Sequence, residues 1–304
     1  MGKVVSMHDA FDPKLIRANA YDKYTAGDYA GAAQLLEQYL GIKPAHPDSQ
    51  AVVRRAYLKL IKADMHLHKL QDAEAVVVDH LGMLLKAQDG RTVVMNFAVA
   101  MPNFEVAEAV IDQAFEAGEA EIDRLRLDNF TKEYQSTHAT ELAASRKRVR
   151  HISIVPIYEQ SAILKDDLPR IPRPEAQADV LVALGDQDLP ASTRTSLVTW
   201  GRDNQLDHDC TFDLFGKSYH YNPRWAKDVF ADPTASAVID AMRADGHSNM
   251  PEDMVLVMVG LLYPVAAQII QDPPAFAKAL AGEPNSKYAK LIAWMQDELS
   301  KLSF

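Results

Sequence analysis

Cysteine is nearly absent from this chain, since Cys210 is the only one in 304 residues. One thiol leaves no internal disulfide and no cysteine-based zinc site to form. The composition therefore indicates a reducing compartment, and we expect the protein to be cytoplasmic. Glycine and proline number 13 and 16, which excludes collagen-like and low-complexity chains.

Positive charge is also in short supply. Lysine and arginine total 32 against 42 aspartates and glutamates, which gives a net charge of −10 with histidine neutral. Because nucleic-acid binders depend on neutralising phosphates, this balance argues against a nucleic-acid partner. The basic run at residues 146–151 is the local exception. We interpret it as the charged end of a helix, with an anion or nucleic-acid contact as the alternative.

The chain lacks several common catalytic and nucleotide-binding motifs, namely G-x-x-x-x-G-K-[ST], G-x-G-x-x-G, H-E-x-x-H and G-x-S-x-G. No cofactor is predicted, and the sequence favours a protein that is not an enzyme. The longest apolar run, residues 254–270, contains Pro264 and Gln268 and is short for a membrane span. It predicts a helix buried on all sides, with homo-oligomer formation through this helix as a further possibility.

What the chain does contain is a recurring apolar stripe in its first 120 residues. Three segments share the spacing i, i+3, i+7, i+10, i+11, which is one face of a helix. The second segment follows the first by 41 residues and the third follows the second by 34, a period typical of stacked helical units. The three stripes are Tyr29, Ala32, Leu36, Tyr39 and Leu40; Leu70, Ala73, Val77, His80 and Leu81; and Phe104, Ala107, Ile111, Ala114 and Phe115.

The segment from Ala26 to Ala33, with Leu36, Tyr39 and a closing Pro44, resembles the second half of a tetratricopeptide repeat. The 34-residue step equals the repeat length of that family, and a longer helix at 49–68 absorbs the longer step. The resemblance covers about residues 13–117 and implies an α-α superhelix of about three helix pairs. It also implies a groove that holds a peptide or helix of another protein.

The fold class predicted for the whole chain is mostly α. A tetratricopeptide-like region at 1–145 precedes a mainly helical region at 146–304, which has one or two short strands and a loop-rich segment at about 159–224. The β-branched residues 151–158 and the apolar residues 178–184 are read as strands, and the prolines of 168–174 argue against a helix there. Later helices are predicted at 224–230, 234–243, 251–271, 274–281 and 286–302.

Most of the candidate partner-binding residues are cationic. Arg55, Lys59 and Lys62 lie on one face of the second predicted pair, and His66 continues that face. Such a stripe suits an acidic peptide or a C-terminal carboxylate, although a solvated helix face explains it as well. The family resemblance adds Arg17 and Tyr21, which occupy the first positions where related domains clamp a carboxylate. We therefore expect an adaptor or scaffold protein.

The alternative function is a metal-dependent, hydrolase-like or small-ligand-binding C-terminal region, with the repeats as a recruitment arm. Its candidate ligands are His208, Asp209, Asp213 and His220, because carboxylates and neutral imidazoles bind divalent metals. A solvated acidic loop explains the same residues. Cys210 is read as a buried thiol, and the neighbouring aromatics are read as core filling. These aromatics are Phe212, Phe215, Tyr219, Tyr221 and Trp225.

Overall fold

A computed structural model of the protein describes residues 12–42, 49–245, 250–283 and 287–302. The chain divides into two compact units, Met1–His138 and Ala139–Phe304, called unit 1 and unit 2 below. The sequence placed this boundary at residue 145, within the first helix of unit 2.

Unit 1 is entirely helical where it is described, and each helix packs against the next along the chain. This sequential packing of antiparallel helices is the construction of a helical repeat. The helices are α1 Pro13–Thr25, α2 Tyr29–Gly41, α3 Gln50–His66, α4 Leu70–Leu84, α5 Gln88–Ala100, α6 Phe104–Glu116 and α7 Ala120–Thr137.

The three apolar stripes occupy α2, α4 and α6, and each stripe starts at the first residue of its helix. The small residue at the fourth position, Ala32, Ala73 or Ala107, has no solvent exposure. An alanine at this position lets the neighbouring helix approach closely. Phe115 departs from the prediction because it is 75% exposed near the end of α6. The predicted helix register of all three segments is confirmed.

Side-chain caps set where α2 and α6 begin. Asp28 accepts a hydrogen bond from the backbone N–H of Gly31 at 2.9 Å, and Asn103 accepts one from Val106 at 3.0 Å. Each cap satisfies one of the N–H groups that a helix leaves unpaired at its start. Gly27 has a φ of +81°, a left-handed conformation that glycine adopts without strain. The repeat-closing Pro44 lies outside the described residues.

Unit 2 is also mostly helical, with one antiparallel hairpin in which Cys210 faces Tyr221 and Leu214 faces Lys217. Its α-helices are α8 Ala139–Arg150, α9 Ile157–Ala162, α10 Arg173–Leu184, α11 Ala191–Asp203, α12 Pro233–Ala244, α13 Glu252–Gly260, α14 Ala266–Ile269, α15 Pro273–Leu280 and α16 Ala289–Ser300. The hairpin strands are β1 Cys210–Leu214 and β2 Lys217–Tyr221, and short 3₁₀ turns cover Ile152–Ile154, Leu168–Arg170, Pro223–Trp225 and Val229–Ala231.

The predictions for residues 151–224 are largely wrong. Residues 151–158 form a 3₁₀ turn and the start of α9, and residues 178–184 belong to α10. The prolines at 172 and 174 precede α10 or stand in its first turn, where a helix needs no N–H from them. The segment predicted as a loop also contains α11. Its apolar periodicity is hard to recognise in the sequence because threonine and serine, which favour turns, occupy several of its other positions.

Two later predictions need correction as well. Residues 224–230 contain two separate 3₁₀ turns instead of a helix. The helix predicted at 251–271 is interrupted between α13 and α14, where Pro264 has no N–H to continue it. Helices α12, α15 and α16 confirm the predictions for their segments, although Ser286, the predicted start of the last one, lies outside the described residues.

The interrupted segment supplies the core of unit 2. Leu262 and Val265 have no solvent exposure, and they pack with residues of α12, α15, α16 and the hairpin. Of the aromatic residues near the hairpin, Phe212 and Tyr219 join this core, whereas Trp225 is 69% exposed. Core filling thus accounts for only part of that cluster. In the part of the chain that the structure describes, no helix combines the length and apolarity that a membrane crossing needs.

Candidate functional site

The first helices of the successive pairs, α1, α3 and α5, lie side by side, because α3 contacts both of the others. Their outward residues therefore belong to one continuous surface. The stripe predicted on α3 lies on this surface: Arg55, Lys62 and His66 are exposed and Lys59 is half-buried. We call these four residues the basic stripe.

Lys59 lies against two tyrosines of α1. Its ammonium nitrogen is 4.8 Å from the ring centroid of Tyr21 and 4.4 Å from that of Tyr24. Both distances allow a cation–π interaction, which holds the ammonium at the junction of the two helices. The structure thus brings together Lys59 and Tyr21, which were predicted separately.

His66 is held by a second aromatic contact. Its ring stacks on Tyr29, the first residue of α2, with centroids 4.1 Å apart and planes 9° apart. Tyr24 meets Tyr29 edge to face at 5.3 Å, so the two aromatic contacts form one cluster. This cluster fixes the two ends of the 59–66 segment while the cationic groups of Arg55 and Lys62 remain in solvent.

A cleft of about 450 Å³ opens beside the basic stripe. Tyr24, Met65 and Val93 supply apolar walls, and Asn96 of α5 supplies a polar one. Arg126 of α7 donates a hydrogen bond to the side-chain oxygen of Asn96 at 2.6 Å. The cleft therefore combines apolar walls with the cationic Lys62 of the basic stripe at its border.

The basic stripe has no counter-charge among the described residues of unit 1. Within residues 12–42 and 49–138, no carboxylate lies within ion-pair distance of Arg55, Lys59 or Lys62. Burial lowers the pKa of the Lys59 ammonium, and the charge of Lys62 lowers it further. An anion at this surface would relieve both effects, because it favours the protonated amine.

Arg17 is placed differently from the other predicted residues. Its guanidinium lies over the ring of Tyr39, 5.6 Å from the centroid, and donates to the Tyr39 hydroxyl at 3.4 Å. It therefore packs between α1 and α2, away from the contacts that hold Lys59. Tyr24 and Asn96 were not predicted from the sequence. The one available signal was that Tyr24 follows Tyr21 by three residues, which places the two on the same helix face.

The basic run at 146–151 is mostly absorbed by ion pairs inside unit 2. Arg146 and Arg150 both bind the carboxylate of Asp179, which has no solvent exposure, and Arg148 binds Asp167. The Arg146 Nε donates to Asp179 at 2.8 Å. A charged helix end that anchors α8 to its neighbours explains this run.

The residues of the alternative site divide between two places. His208, Asp209 and Asp213 border one pocket of unit 2, whereas His220 borders another. Among the described residues, no three histidine, cysteine, aspartate or glutamate side chains converge as metal ligands. Burial raises the pKa of the Cys210 thiol to about 11, so this cysteine stays protonated and is a poor nucleophile at neutral pH.

The chain was compared with protein-family models, with curated proteins and with solved structures, and none of the three comparisons gives a match.

Proposed function

We propose that unit 1 is a tetratricopeptide-like interaction module that binds an acidic peptide or helix of another protein on the basic stripe. The observation that carries this proposal is the absence of counter-charge at Arg55, Lys59 and Lys62 within the described part of an acidic protein. Elsewhere in the described part of unit 1, Lys23, Lys69, Arg91 and Arg124 each pair with a carboxylate, whereas the basic stripe brings unpaired cations together on one helix face. Here the carboxylates are expected to come from a partner.

The repeat construction supports the choice of surface. In stacked helical repeats, one helix of each pair lines an extended inner face, and that face is used to hold other chains. The contacts of α3 with both α1 and α5 support our choice of these three as the equivalent helices. The basic stripe runs along the middle one, where a bound segment also reaches its two neighbours.

The chemistry of recognition follows from the side chains. Arg55 and Lys62 are positioned to donate charge-assisted hydrogen bonds to glutamate or aspartate side chains of the partner. The apolar walls of the neighbouring cleft, Tyr24, Met65 and Val93, suit one hydrophobic side chain next to those acids. The expected ligand is therefore an acidic segment with an aliphatic or aromatic anchor. We assign this adaptor to the cytoplasm, the compartment that its cysteine content favours.

The test is affinity capture from native lysate with wild-type protein and the double variant Arg55→Glu/Lys59→Glu. For any retained protein, truncations then locate the acidic segment that binds. A labelled synthetic peptide of that segment is titrated with each variant, and binding is followed by fluorescence anisotropy. We expect the charge reversal to weaken binding by about tenfold or more, because like charges then face each other across the interface. Higher salt should weaken wild-type binding too.

A matched control separates local from general electrostatics. Lys86→Glu/Lys132→Glu makes the same charge change at two exposed positions of unit 1 outside the basic stripe. This control should bind like the wild type, and circular dichroism should show both double variants folded. Equal binding by the folded Arg55→Glu/Lys59→Glu variant and the wild type would refute the proposal.

A further inference from the structure

Unit 2 contains a pocket that the proposed interaction function does not use. It has a volume of about 310 Å³, at the lower end of the range for small-molecule sites. The end of α10, the first turn of α11 and strand β1 form its walls, together with residues 185–187 and 208–209. All of these elements belong to the same unit.

A buried arginine borders this pocket. Arg194 of α11 is only 6% exposed, and its guanidinium carbon is 4.2 Å from the ring centroid of Phe212. Its Nη2 donates to the carbonyl oxygen of Leu189 at 3.1 Å, while its Nε is buried without an acceptor. In the described part of unit 2, no carboxylate lies within ion-pair distance of Arg194.

This arrangement is costly for the protein alone. A guanidinium has five N–H donors and keeps its charge at neutral pH, so the burial of Nε without an acceptor costs free energy. Burial lowers the pKa of Arg194, and the nearby charges of Glu298, Asp186 and Asp213 offset this effect only in part. A planar carboxylate is the group that a guanidinium binds best, through two parallel hydrogen bonds.

The outer part of the pocket has the opposite charge. Asp209 and Asp213 are exposed and Asp186 is half-buried, and all three border the same space as Arg194. The hydroxyl of Ser153 donates to Asp186 and lowers the pKa of that carboxyl group, which keeps it ionised. The hydroxyl of Ser218 donates to Asp213 at 2.5 Å, which leaves other lone pairs of that carboxylate open.

Charge complementarity limits the class of ligand that this pocket can bind. A simple anion would reach Arg194 only past three carboxylates, and a simple cation would meet the buried guanidinium. A small molecule that carries both a carboxylate and an ammonium matches both. We propose that this pocket binds a free α-amino acid, with its carboxylate on Arg194 and its ammonium group toward Asp213 and Asp186.

The experiment is a titration of the full chain with each of the twenty proteinogenic amino acids, by calorimetry and by thermal shift. For the amino acid that binds best, two analogues are compared: the amine that lacks the carboxylate and the acid that lacks the ammonium. Each should bind about tenfold more weakly or worse, because it leaves a charged group of the site unpaired. No binding by any amino acid at millimolar concentration, or equal binding by either analogue, would overturn the proposal.

Variants locate the site. Arg194→Met keeps an unbranched apolar side chain but removes the guanidinium, and we expect it to abolish binding while the ligand-free protein stays folded, which circular dichroism checks. Asp213→Asn, an exposed and structurally mild change, should weaken binding. Asp188→Asn alters an exposed carboxylate that does not border the pocket and should bind normally. If Asp213→Asn binds as tightly as Asp188→Asn, the assignment is wrong.

Discussion

Replacing Asp64 by asparagine should stabilise the protein at neutral pH. Asp64 lies on α3 and is 2% exposed. Burial is the main cause that raises its pKa, and the carboxylates of Asp72 and Glu37 raise it further, while Lys69 partly opposes them. The pKa of this carboxyl group is thereby shifted from 3.8 to about 6. Glu37 belongs to α2 and Asp72 to α4, so Asp64 meets negative charge from both sides.

The sign and size of the effect follow from proton linkage. Between pH 4 and pH 6, to the nearest unit, the folded state holds the Asp64 proton more tightly than the unfolded state does. Stability therefore falls as the pH rises through this window, and the loss is complete above it. A shift of this size corresponds to about 3 kcal/mol. Asparagine has nearly the same volume but no charge, so it should recover up to about 3 kcal/mol at pH 7.5 and almost nothing near pH 4.

Urea unfolding followed by circular dichroism measures this difference in wild type and Asp64→Asn at the two pH values. Asp22→Asn, at an exposed carboxylate of α1, is the control and should change the pH dependence little. A variant that is less stable than the wild type at pH 7.5, or a difference that does not depend on pH, would refute this account of Asp64.

Two further predictions concern stability. Asp179→Ala should destabilise unit 2 by about 1–3 kcal/mol in chemical unfolding, because Arg146 and Arg150 lose the acceptor that they share; a loss below about 1 kcal/mol would show that water replaces it, on the scale of a surface pair. Gly90→Ala should cost about 1–3 kcal/mol, since its Cβ would lie 1.9 Å from a backbone oxygen of α4. Gly82 lies in α4, where an added Cβ would meet no other atom, so Gly82→Ala should instead stabilise the folded protein by up to about 1 kcal/mol. Equal effects of the two changes would contradict this argument.

The helical stack could be predicted because its signal is local. The stripes on α2, α4 and α6 repeat every three or four residues, and Asp28 and Asn103 stand where caps are needed. Both features act within one helical turn and need no knowledge of distant residues. The same reasoning predicted α12, α15 and α16; in α12 and α15, proline stands at the first position or next to it.

The middle of the chain could not be predicted in the same way. Residues 151–158 have strand-like composition, yet no partner strand lies beside them in the described structure, and only Ile152 of the first turn is fully buried. Strand propensity reports fit to a pleated, half-buried surface, which tertiary packing either provides or withholds. In α10, Asp179 looks like a surface residue in the sequence, but two arginines of α8 compensate its burial.

Each of the two candidate sites also has one part that the sequence predicts and another that depends on tertiary contacts. The periodicity of α3 alone determined that Arg55, Lys59 and Lys62 share a face, because a helix fixes the angle between residues four apart. Only the tertiary structure decided that Tyr24 of α1 and Asn96 of α5 lie beside them, and that Arg17 packs on Tyr39. It likewise decided that Arg194 is buried beside three aspartates, since burial and charge compensation depend on contacts between residues far apart in the chain.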